Sequence, residues 1–141
     1  MAEPSFSFLR ARAGIMIKMK KYQKILKFWL PPIIWAGLIF FFSSLPQVKT
    51  VEIYWQDFLI KKTAHMIEYG VLAALLYRAF KNSDLAKTEA LFFSLLITVL
   101  YAASDEVHQS FTPGREPRVR DVVFDIIGGS LALYLIKVKN I

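Results

Sequence analysis

Eighteen consecutive residues without a charge, Phe28 to Leu45 (FWLPPIIWAGLIFFFSSL), constrain this chain more than any other feature in it. A helix of about 20 apolar residues crosses the ~30 Å hydrocarbon layer of a bilayer, so this run reads as a membrane span. Pro31 and Pro32 fall in its first turn, where a missing amide hydrogen costs little, and Trp29 and Trp35 suit an interface. Three more apolar runs follow: Ala64 to Phe80, which carries His65, Glu68 and Arg78; Ala90 to Ser104; and Val122 to Ile136, interrupted by Asp125, Gly128, Gly129 and Ser130. The last two are short for a span. They reach full length only by taking in polar neighbours, Asp105 to His108 on the third and Arg120 and Asp121 on the fourth. The expected fold is all-α, an integral membrane bundle of four transmembrane helices.

Composition agrees with that class. Apolar residues make up 55% of the chain, twelve of them Phe, and they gather into runs separated by charged segments instead of spreading through a soluble-type pattern. At 141 residues there is room for one domain. Without cysteine there is neither disulfide nor thiolate chemistry. The net charge of +7 belongs to residues flanking the spans, where it sets topology, and nucleic-acid binding is not expected.

Orientation follows from the basic residues. Arg10, Arg12, Lys18, Lys20, Lys21, Lys24 and Lys27 precede the first span, and Arg78, Lys81, Lys87, Lys137 and Lys139 fall on the same side. Those twelve face six on the other side: Lys49, Lys61, Lys62, Arg115, Arg118 and Arg120. Both termini are therefore expected in the cytoplasm, with Pro46 to Lys62 and Gln109 to Arg120 outside. Residues 1–27 read as a basic cytoplasmic tail, with Met16 and Met19 as alternative starts, and 28–141 as the membrane domain. No small-residue cleavage site follows the first run, so a signal peptide is not expected. Asn82-Ser83-Asp84 is expected to turn the chain and cap the third helix at Ser83 or Asp84.

On this topology the polar residues of the spans share one end. Ser43 and Ser44 close the first span there, and His65 and Glu68 open the second. Asp105, Glu106, His108 and Gln109 end the third, and Arg118, Asp121 and Asp125 begin the fourth. Lys61, His65 and Glu68 lie on one helical stripe, as do Asp121, Asp125 and Gly128, while Asp105 and His108 share a face. A lone carboxylate at the depth of Asp125 costs several kcal/mol unless it is paired or neutralised. Two explanations fit. Such groups form buried pairs that fix helix register, or they form a site. Gly128, Gly129 and Ser130 more often mark close helix packing than ligand approach.

Four segments carry a resemblance: FFSSLP at Phe41 to Pro46, the stretch from Lys62 to Arg78 with Lys62, His65, Glu68 and Tyr69, SDEVHQSFTPGR at Ser104 to Arg115, and RDVVFDIIGG at Arg120 to Gly129. In order and spacing the chain resembles the VanZ-like family, named for a teicoplanin-resistance protein of glycopeptide-resistant bacteria. The resemblance covers Phe28 to about Ile136. It implies a bacterial cytoplasmic-membrane protein acting at the cell envelope, with a link to glycopeptide resistance. The positions that match are Ser43, Ser44, Lys62, His65, Glu68, Tyr69, Asp105, Glu106, His108, Gln109, Pro113, Gly114, Arg115, Asp121, Asp125 and Gly128.

Three classes of function remain open. In the first, an outward polar cup binds an envelope lipid headgroup, an envelope precursor or a glycopeptide, with Lys62, Arg115 and Arg118 drawing anionic groups and His65, Glu68, Asp105, Glu106, His108, Gln109, Asp121 and Asp125 accepting hydrogens. In the second, a hydrolase or transferase works on a lipid-linked substrate, using His65, Glu68, Asp105, His108, Asp121 and Asp125 for acid-base chemistry or to hold a divalent ion. No known metal or catalytic signature matches, so no metal ligand is assigned and the cofactor is left open, as is the oligomeric state. A transporter ranks last, because transport sites sit near the midplane and these groups crowd at one end.

Overall fold

The computed structural model of the chain describes residues 6–45, 54–112 and 118–139. Among them it contains four α-helices, α1 (Phe6–Ser43), α2 (Tyr54–Lys81), α3 (Lys87–Gln109) and α4 (Val119–Val138), and no strand. Two are long and apolar enough to cross a membrane: α1, over Gly14–Ser43, and α3. The fourth helix fails that measure because Asp121 and Asp125, with Arg120 or Lys137, fall in every eighteen-residue stretch of it.

Three expectations change. The basic segment read as a tail is helical from Phe6 and continuous with the first span in α1, and its content of Leu, Ala, Arg, Met and Lys, all strong helix formers, explains why. Pro31 and Pro32 therefore lie inside the helix, not in its first turn, and leave the carbonyls of Lys27 and Phe28 without their helical donors. The second helix starts about ten residues early, at Tyr54, where Asp57 suits the positive helix start and pairs with Lys61 at 2.7 Å. Finally, Asn82 and Ser83 close α2 and do not open α3. Asn82 Nδ2 donates to the Arg78 carbonyl at 2.8 Å and Ser83 Oγ to that of Ala79 at 2.9 Å. Asp84 reverses the chain at φ 64°, and α3 begins after Ala86, whose amide donates to the Glu89 carboxylate at 2.9 Å.

The bundle is apolar outside and holds polar groups within its core. Ile33, Phe41, Phe92, Leu100 and Leu131 are exposed, whereas Ser94, Thr98, Asp105 and Asp125 are buried. A protein folded in water does the reverse with its charged groups, and a protein surrounded by lipid has no reason to. The buried hydroxyls are satisfied within their own helix, Ser94 donating to the Ala90 carbonyl at 2.6 Å and Thr98 to that of Ser94 at 2.7 Å.

The closest seam joins α2 and α4, which run parallel: Lys62 meets Asp121 and, one turn on, His65 meets Asp125. Glycine makes this approach possible. A Cβ on Gly128 would collide with the Met66 backbone, and one on Gly70 would lie 3.3 Å from the Gly128 carbonyl oxygen. The first helix runs antiparallel along α2. Trp35 Nε1 donates to the Glu68 carbonyl at 2.9 Å, and near the other end Trp29 Nε1 donates to Ser83 Oγ at 3.1 Å. The third helix returns beside both, with Tyr101 donating to the Ala36 carbonyl at 2.6 Å. Ile39, Tyr69, Leu72, Leu76 and Ala102 fill the space between α1, α2 and α3. This up-down-up-down order places the ends of α1 and α3 beside the early turns of α2 and α4.

Candidate functional site

At that shared end each helix presents polar side chains to the others. Asp105, 3% exposed, is the most heavily coordinated. Its Oδ2 accepts from Ser43 Oγ at 2.7 Å, Gln109 Nε2 at 2.9 Å and Tyr69 OH at 3.1 Å, so donors from α1, α2 and α3 converge on one oxygen. Gln109 Nε2 also lies 3.3 Å from Ser43 Oγ, closing the network. The other oxygen, Asp105 Oδ1, is buried and has no hydrogen-bond partner among the described residues.

Between α2 and α4 lie two ion pairs. Lys62 Nζ is 2.6 Å from Asp121 Oδ2, a short charge-assisted contact. His65 Nδ1 is 3.4 Å from Asp125 Oδ1, an ion-pair distance long for a hydrogen bond, and Asp125 Oδ1 accepts no hydrogen bond from the described residues. Asp121 Oδ1 completes a set of three such carboxylate oxygens, the Arg120 Nε near it being 3.8 Å away.

Glu106 serves the start of α4, its Oε1 accepting from the Arg118 amide. This ties the last turn of α3 to the first of α4 across a twelve-residue separation. His108 is placed differently: its ring stacks on Phe40 with centroids 4.1 Å apart, and its buried Nδ1 has no hydrogen-bond partner. Lys62, His65, Asp105, Gln109, Asp121 and Asp125 are thus drawn into contacts between helices. Arg115, with Pro113 and Gly114, lies outside the described residues. Among those described, no three His, Asp or Glu side chains are grouped to hold a metal ion.

Tyr69 and Ser43 hold more of the site than their residue types announced. Tyr69 was marked only by the resemblance, since a tyrosine in an apolar run reads as packing, whereas Ser43 was marked also by its place at the polar end of the first span. Trp35, which ties α1 to α2 beside Glu68, gave no polar signal at all.

A family model for VanZ/LLP1 matches residues 28–140. The chain belongs to the VanZ/LLP1 family. No curated protein and no solved structure gives a significant match to it. Every polar residue described above falls inside the VanZ/LLP1 match, and the lysine-rich first half of α1 falls outside it.

Proposed function

We propose that this VanZ/LLP1 protein is a multi-pass protein of the bacterial cytoplasmic membrane, with all four helices spanning, both termini in the cytoplasm, and the polar cluster at the outer face binding a cell-envelope lipid headgroup or a glycopeptide-related ligand. The reading rests on one observation. Asp105, Asp121 and Asp125 each keep a buried oxygen that accepts no hydrogen bond from the described residues, and the buried Nδ1 of His108 makes none either. An unpartnered buried acceptor costs about 1–3 kcal/mol, more when charged. A ligand bearing hydroxyl, amide or ammonium hydrogens would offset that cost. Because the second oxygens of Asp105 and Asp121 are already fixed by Ser43, Tyr69, Gln109 and Lys62, the free ones are preset to receive it.

A second reading, a hydrolase or transferase on a lipid-linked substrate, draws on the His65 and Asp125 pair. A carboxylate beside Nδ1 directs the opposite ring nitrogen away from it, the arrangement of an oriented general base.

The test uses Asp121→Asn and Glu68→Gln, which keep shape and delete charge. The binding role expects both to reach the membrane at normal levels but to lose the envelope lipid that co-purifies with the wild-type chain, read by mass spectrometry, together with any teicoplanin resistance the wild type confers. Loss of protein level in place of ligand would make the cluster architecture only. Turnover of a lipid-linked substrate by the wild type would favour the second reading.

A further inference from the structure

A groove of about 220 Å³ opens between α1, α2 and α3, running from Tyr101, one turn before Asp105, to Trp29 toward the opposite end of the bundle. Its walls include Trp29, Pro32 and Ala36 of α1, Leu72 and Leu76 of α2, and Ile97 of α3. The groove is apolar and open, wide enough for a hydrocarbon chain and unsuited to water.

Two cations converge beside it. The Arg78 guanidinium lies 5.3 Å and Lys27 Nζ 5.7 Å from the centroid of the same ring, that of Phe28, which directly precedes the groove residue Trp29. Both side chains are exposed, and neither has an acidic partner among the described residues. Like charges gathered on one aromatic ring repel, and a shared anion relieves that repulsion. The neighbouring basic residues are engaged differently: Lys24 pairs with Asp84 at 3.5 Å and Lys81 sits over Tyr77.

We propose that this face is a binding site for an anionic phospholipid, its phosphate held by Lys27 and Arg78 and one acyl chain lying in the groove. Charge and apolarity follow each other along the site in the order of such a lipid, and basic pockets between membrane helices are suited to anionic headgroups. Trp29 fits the junction, where a ring with one polar edge meets both the headgroup and the chain; its Nε1 already donates to Ser83. The site shares no side chain with the Asp105 cluster and does not depend on what that cluster binds.

The experiment is native mass spectrometry of the full chain released from neutral detergent in the presence of phosphatidylglycerol or phosphatidylcholine. The wild type is expected to retain phosphatidylglycerol at least about tenfold more strongly, as two cations near the surface allow. Lys27→Gln with Arg78→Gln should remove that preference, whereas Lys20→Gln with Lys21→Gln, which deletes the same charge from exposed positions of α1 outside the site, should leave it. Ala36→Phe, which fills the groove and spares the cations, should weaken retention of phosphatidylglycerol. Equal retention of the two lipids by the wild type, a preference that survives the first pair of changes, or equal loss in both pairs would overturn the proposal. Unchanged retention in a folded Ala36→Phe chain would remove the acyl chain from the groove.

Discussion

The hydroxyl of Ser43 donates to Oδ2 of Asp105 across 2.7 Å, joining residues 62 apart in the chain and fastening the last turn of α1 to the last turns of α3. Hydrogen bonds to a charged group contribute more than neutral ones, about 1.5–3 kcal/mol. Ser43→Ala should lower stability by roughly that amount, and Tyr69→Phe, whose bond is longer at 3.1 Å, by less. Thermal unfolding of the purified chain in detergent reads both. Equal stability of all three proteins would mean that the Asp105 network adds nothing to the fold.

Lys62 and Asp121 make the converse case. Lys62→Met leaves Asp121 with its charge and without its 2.6 Å partner; the pair is only part-buried, so the loss should stay below the roughly 3–5 kcal/mol of a fully buried pair. Adding Asp121→Leu removes the orphaned charge and should recover most of the loss. The recovered double variant should still fail to hold the envelope ligand. Unfolding midpoints and co-purifying lipid, measured on the same preparations, separate the two effects.

How much of this was readable beforehand depends on which force sets each feature. The apolar runs mark where a helix has an apolar surface to bury or to give to lipid, and all four helices include those runs. Hydropathy is silent about how far a helix continues beyond lipid. The starts at Phe6 and Tyr54 rest on backbone propensity and on the Asp57 and Lys61 pair, signals that an apolar count ignores. Asn82 and Ser83 were legible as turn formers, but the helix they cap depends on which carbonyls lie within reach. In the site, helical spacing put Asp121 with Asp125 and Lys61 with His65 on common stripes. Which cation meets which acid was not legible, because that depends on the register of α4 against α2, set by the glycines.

Those glycines give a graded expectation. A methyl at Gly128 would strike the Met66 backbone, which cannot move aside without shifting α2. At Gly129 it would come within 2.9 Å of Thr98 Cγ2, and at Gly70 within 3.3 Å of a carbonyl oxygen. Overpacking typically costs about 1–3 kcal/mol. Gly128→Ala should exceed that range, Gly129→Ala should fall within it, and Gly70→Ala should cost least. Gly37→Ala meets nothing within 4 Å and should be neutral or gain up to about 1 kcal/mol in helix propensity. Unfolding in detergent ranks the four.

Topology is tested with reporters. A reporter active only in the cytoplasm should work when fused after Ile141 and fail when inserted beside Thr112. The reverse pattern would put the acids on the cytoplasmic face and end the envelope-ligand proposal.

The parallel seam and the Asp105 network also bear on how the chain is made. A ribosome delivers helices from the amino terminus onward, so Ser43, Lys62, His65 and Tyr69 are synthesised before Asp105, Asp121 and Asp125, the acids they meet. On the proposed four-span topology, each of these carboxylates reaches the bilayer after its partner from α1 or α2 has been made. In the opposite order, three acids would wait in hydrocarbon for cations and hydroxyls not yet translated, at a cost of several kcal/mol each. The linear order of the residues thus doubles as a schedule for insertion.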